Sequence, residues 1–258
     1  PSAYPFWLDP APAQWARAGL AKVKNPQINS DLDPVSYFYF WRLWLSMVVS
    51  PSMLLGLALT ALIFIVSFAR LFGSAAVWRE PAGASSLLIG FWGMAFEAGV
   101  ILVFQTLTGQ LAWKLGALFS AFLVGAALGA LAPFTRRGAV ALTEFMALGL
   151  SISAAAALKN SSAYGLNTVF IYSVLSLAAA GAISGAYFCC ASVISPQKGP
   201  GVYARDLAGA ALGAFAASAF AVPLWGLKSA FLLSAAAALL SLIIDGKHYL
   251  QNLETKDL

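Results

Sequence analysis

Seven long apolar runs, separated by short polar joints, follow a first fifty residues of a different kind. The runs fall at about 52–72, 84–108, 112–132, 138–158, 166–194, 202–222 and 226–244. Each is near the ~20 residues that a helix needs to cross about 30 Å of hydrocarbon. The pattern predicts an all-α membrane protein, a polytopic bundle of about seven transmembrane helices. The fifth run is overlong, so it is expected to tilt or to extend beyond the bilayer. Joints such as PFTRRG, SPQKGPG and PLWG are too short to hold anything else, so sequential helices are expected to pack as antiparallel neighbours. Gly90 to Ala130 in particular reads as a membrane hairpin.

Residues 1–50 contain no stretch long enough to span. They are proline-rich and include the polar run LAKVKNPQINSDLDP, followed from Tyr37 by YFYFWRLWLSMVV, where aromatics crowd around Arg42. Rings of this kind favour the headgroup level, so the segment is either an interfacial lead-in helix or the aromatic flank of the first span. The expected organisation is an extramembrane or interfacial segment over 1–50, a seven-helix domain over 51–245 and a short tail over 246–258.

Composition sharpens the class. Of 258 residues, 60% are hydrophobic and only 10% charged, and the mean hydropathy is +0.81, far from the usual quarter of charged residues in soluble domains. The net charge of +5 is carried by fifteen scattered Lys and Arg, which speaks against a nucleic-acid-binding stripe. Cys189 and Cys190 are adjacent and point different ways around a helix, and His248 is the one histidine. Nothing here resembles a haem, zinc or iron–sulfur ligand set, so no cofactor and no metal is expected. Loop cations predict orientation. Lys114, Lys159 and Lys228 lie on the side of the N-terminal segment, whereas Arg70, Arg79, Arg136, Arg137, Lys198, Arg205, Lys247 and Lys256 lie opposite. By the positive-inside rule the C-terminus is cytoplasmic and residues 1–50 face outward, into a periplasm if the membrane is a bacterial inner membrane.

Few polar residues interrupt the runs. Glu97, with Gln105 and Thr108 following on the same run, is the candidate intramembrane polar site. A lone acid in hydrocarbon costs roughly 2.5–3.5 kcal/mol on insertion scales, so its face is expected to look inward. Its role is either to bind a proton or substrate, or to hold helices together. Arg205 and Asp206 are expected to pair and to cap the sixth span, and Glu144 to form an ion pair at the loop with Arg136 and Arg137. Small residues mark helix packing, since close backbone approach supplies association energy in lipid. Gly125 and Gly129 lie in VGAALGA, and Gly209 and Gly213 in the nearly identical AGAALGA. The two words lie three helices apart, in the third and sixth runs, so they mark an inverted three-helix repeat or else coincide by chance in an Ala- and Gly-rich chain.

The stretch GFWGMAFEAGVILVFQTLTGQLAWKLGALFSAFLVGAALGA resembles a helix pair of the membrane-bound spermidine synthase-like proteins, whose spans are similar to major-facilitator helices. GVYARDLAGAALGAFAASAFAVPLWGL is similar to another helix of that family. INSDLDPVSYFYFWRLW, from Ile28 to Trp44, resembles the end of its aminopropyltransferase-like domain where that domain enters the membrane. The resemblance implies the membrane part of such a protein, cut from a longer precursor or encoded without the enzyme. The catalytic domain itself does not fit, because residues 1–50 hold no strand, G-x-G turn and helix, and about 50 residues cannot bury such a core. Three functions remain open. The first is a non-catalytic subunit that anchors or organises a larger complex, of the respiratory or electron-transfer kind, with other membrane or periplasmic subunits as partners. The second is a facilitator-like transporter of a small cationic, polyamine-like solute. The third is the membrane half of a spermidine synthase-like enzyme whose catalytic domain is a separate chain.

Overall fold

The structure, a computed structural model, describes residue 59 and residues 81–109, 112–131, 137–159, 164–194 and 199–254. Apart from residue 59 the first apolar run lies outside the described residues, as do the aromatic lead-in and the extramembrane segment. Within them the chain forms six long helices and no strand: α1 (Pro81–Thr108), α2 (Ala112–Ala130), α3 (Arg137–Ala157), α4 (Leu166–Ile194), α5 (Gly199–Phe215) and α6 (Lys228–Glu254). Each, α5 together with the turns that continue it to Trp225, carries a stretch long and apolar enough to cross a membrane. The chain is an all-α, multi-pass membrane protein. The overlong fifth run is one unbroken helix, α4, of 29 residues, or about 43 Å at 1.5 Å per residue.

Behind α5 the chain runs through a π-helical turn, Ala216–Ala221, and a last helical turn, Val222–Trp225. Pro223 has no N–H to give to the preceding turn, and a widened turn before it absorbs the mismatch. Gly226, at φ 76°, then ends the helix, a backbone setting that costs glycine little.

The expectation that sequential helices pack side by side is corrected by the structure. α1 and α2 barely touch, and the closest seams are α2 on α4 and α5 on α1. Glycine decides this. A Cβ added at Gly125 or Gly129 would lie closer than 3.0 Å to the backbone of Ala178 or Ala182, and at Gly209 or Gly213 equally close to the backbone of Leu87 or Phe91. Backbones that approach so tightly gain dispersion and Cα–H···O contacts that bulkier residues forbid. Partner numbers rise together along both seams, so these pairs run parallel, and the short joints merely return the chain across the membrane.

The two seams are copies of one another. Gly209 stands 84 positions after Gly125, and Gly213 84 after Gly129, while their partners Leu87 and Phe91 stand 91 before Ala178 and Ala182. The same two shifts carry the contact of Gly90 with the Asp206 backbone onto that of Gly181 with the Phe122 backbone. On α3 and α6 a shift of 90 exchanges the Glu144–Ser241 and Ser151–Ser234 hydrogen bonds. α1 and α4 run antiparallel, since Gly93 meets Ser184 while Phe104 meets Phe170. Helices α1–α3 and α4–α6 are therefore inverted repeats about an approximate two-fold axis in the membrane plane. Gly93 and Ser184 are mates under the 91 shift, and a Cβ on Gly93 would stand 3.1 Å from Ser184 Oγ, so the axis passes between them.

Cysteines at those two positions are within reach of disulfide geometry, which asks for Cβ atoms about 3.5–4.5 Å apart. With Cys189 and Cys190 replaced by alanine, Gly93→Cys/Ser184→Cys is expected to cross-link under mild oxidation. Protease fragments of α1 and α4 then stay joined on a non-reducing gel. Fragments that separate would move the axis elsewhere.

Candidate functional site

α1 lies at the centre of the bundle, with Ile89, Trp92, Phe96 and Phe104 fully buried. Together with α3, α4 and α6 it frames the junction between the repeats, and that junction is polar at one end, plugged in the middle and hollow at the other.

At the polar end, where α1 and α3 begin and α4 and α6 finish, six side chains meet. Repeat one supplies Ser85 and Ser86 from α1 and Glu144 from α3, and repeat two supplies Tyr187 from α4 and Ser241 and Asp245 from α6. Ser241 Oγ donates to Glu144 Oε1 and Ser85 Oγ to Asp245 Oδ1. The Glu144 and Asp245 carboxyls are themselves near enough to share a hydrogen bond. Glu144, Ser85 and Ser241 have no exposure at all, whereas Asp245 is half-buried at the rim. Two polar atoms remain without partners, Glu144 Oε2 and the Tyr187 hydroxyl. Tyr187 faces both acids and the two serines of α1, yet completes no hydrogen bond of good geometry.

In the middle, Trp92 Nε1 donates to Ser151 Oγ at 2.8 Å, and Ser234 Oγ donates to Ser151 Oγ at 3.1 Å. This string ties α1, α3 and α6 together. Beside it the ring of Phe96 meets Phe231 edge to face, centroids 5.4 Å apart. Such pairs prefer that geometry and fill space without polar demand.

Beyond this plug lies a partly open cavity of about 230 Å³. Val100, Val103 and Leu107 of α1, Ala154 of α3, Tyr172 of α4 and Phe231 of α6 line it. Its walls are almost wholly apolar, with hydroxyls from Thr168, Ser173 and the tyrosines.

The residues singled out from sequence are distributed differently. Glu97 is buried at 4% exposure, and among the described residues nothing hydrogen bonds to its carboxyl. Gln105 is half-buried, and the Thr108 hydroxyl donates to Phe104 O of its own helix at 2.8 Å. Eleven residues part Glu97 from Thr108, about 16 Å of helix, so the three do not gather into one pocket. Glu144 points into the core and not toward the loop arginines, a correction that follows from its place two turns into α3 on the face packed against α6. Asp206 is also further in than an N-terminal cap, because α5 already starts at Gly199. Its backbone carbonyl packs on Gly90.

Sequence reasoning missed Ser85, Ser86, Tyr187, Ser241 and Asp245. One signal was present. Ser234, Ser241 and Asp245 are spaced by seven and four, which places them on one face of α6.

Among the described residues no group of three or more His, Cys, Asp or Glu could hold a metal ion, and Cys189 and Cys190 form no disulfide. No known protein family, characterised protein or solved structure matches the chain.

Proposed function

We propose that the protein is a membrane carrier for small, largely apolar solutes bearing a hydroxyl-like group, and that it works by rocking one three-helix repeat against the other. One observation supports this reading above the rest: the junction between two inverted repeats is hollow at one end and sealed by hydrogen bonds at the other. Inverted repeats allow a carrier to exchange two such states around a central site, each half adopting in turn the conformation of its mate. The resemblance of Gly90–Ala130 to a helix pair of the spermidine synthase-like membrane proteins, whose spans are similar to major-facilitator helices, points the same way. With the orientation expected from loop charges, the sealed end faces the cytoplasm and the hollow end faces outward.

Among the described residues the cavity wall contributes no acid, so the solute class shifts from polyamine toward something apolar. Purified protein in sealed proteoliposomes should take up one member of a panel of radiolabelled small alcohols, phenols and short amphiphiles, with spermidine in the same panel. Uptake of spermidine alone would return the reading to a cationic solute. If nothing moves and the chain instead migrates on native gels within a large assembly, the anchoring-subunit reading takes its place.

A further inference from the structure

The sealed end holds more than a latch requires. Hydroxyl-to-carboxyl bonds from Ser85 and Ser241 already join the repeats. Glu144 Oε2 and Tyr187 Oη nevertheless complete no hydrogen bond of good geometry, on residues 0% and 2% exposed, although Asp245 stands beside the one and Ser85 and Ser86 beside the other. Such an orphan in the interior is destabilising, and two carboxyls in contact repel one another while both are charged. A small positive species between them removes both deficits.

We propose that Glu144, Asp245 and Tyr187, with the hydroxyls of Ser85 and Ser241, form a binding site for one singly charged cation, a proton or a sodium ion. The ligand set is all oxygen, which suits hard cations. Two acids that share a hydrogen bond leave one net negative charge to neutralise, so a single positive charge suffices. A divalent cation would leave the site with an excess positive charge, since an acid pair that shares a proton presents only one negative charge. Asp245, half-buried at the rim, gives the cation its way in. Among the described residues the titratable groups that face the site are Glu144 from α3, Tyr187 from α4 and Asp245 from α6; α1 contributes hydroxyls only, and Lys247, two residues past Asp245, is exposed.

Binding can be measured without any transported solute, so failure of this inference and failure of the carrier reading are separate results. The full chain in lipid nanodiscs is melted in sodium chloride and in choline chloride of equal ionic strength, at several pH values. A species that binds only the folded state raises the melting temperature. If sodium is the occupant, the midpoint rises by several degrees in sodium over choline. If the proton is, sodium and choline give the same midpoint, which rises by several degrees toward acid pH, and most of that rise is lost in Glu144→Gln although the buried acid Glu97 is still in place. Tyr187→Phe keeps the acids and the packing, and should demand about tenfold more cation for the same shift. Glu144→Gln should abolish the shift. If that variant does not fold, the Tyr187→Phe titration and the carboxyl stretch in infrared difference spectra of the native protein still decide the matter. Midpoints independent of both sodium and pH in the native protein, with no change in the carboxyl band, overturn the site.

Discussion

Valine at Gly129 lowers the stability of the purified protein by about 3 kcal/mol, the upper part of the range for overpacked cores, and valine at Gly213 lowers it by a similar amount. The two positions are 84 residues apart and lie on different helices, yet each presses on a carbonyl-lined seam in the same way, against Ala182 in one case and Phe91 in the other. The added side chain meets backbone and not the flexible end of a side chain, so the helices themselves must part. Denaturant or thermal unfolding in one detergent is the measurement. Gly149→Ala provides the control, since nothing stands within 4 Å of its Cβ position, and a helix interior gains up to about 1 kcal/mol from that exchange. If Gly129→Val is severe and Gly213→Val harmless, the likeness of the two seams is not energetic, and the repeat has no mechanical meaning.

The second large effect is on transport. Ala154→Trp places an indole from α3 into the cavity of about 230 Å³, where room exists for it. Uptake into proteoliposomes should fall by at least tenfold while the melting temperature stays near that of the unmodified protein. Overpacking penalties arise where there is no space, and here there is. Leu128→Trp, on the exposed face of α2 at 63% exposure, should leave uptake unchanged. An Ala154→Trp protein that still transports at full rate would remove the cavity from the solute path.

Element existence was legible because a membrane span announces itself by length and hydropathy alone, and the runs at 84–108 and 166–194 match α1 and α4 within three residues at either end. Partner choice was not. Short joints suggested neighbours in sequence, but small residues at Gly125, Gly129, Gly209 and Gly213 selected partners two or four helices away, and no rule about loop length contains that information. The words VGAALGA and AGAALGA hinted at duplication; what carries it in the structure is that the shifts of 84 and 91 reproduce contacts the words do not mention, such as Gly90 with Asp206 and Gly181 with Phe122. Glu97 drew attention as an acid deep in a run. The richer constellation stayed hidden because its six residues lie on four helices, and because Asp245 sits where an apolar run gives way to a polar tail. A serine within a span carries little weight by itself, since it can satisfy its hydroxyl on its own helix, as Ser173 does on Val169 O. Only the fold shows which serines also reach across.

The near-symmetry of the backbone makes one departure in the side chains consequential. Under the shift of 90 that relates α3 to α6, Glu144 answers to Ser234 and Asp245 to Ala155, so the acids have no acidic mates at the opposite face. A pump or valve assembled from two equal halves would treat inside and outside alike. Among the described residues these carboxyls stand in one vestibule alone, so on the carrier reading the molecule has a handedness across the bilayer, and an ion gradient would find a lever on one side that it lacks on the other.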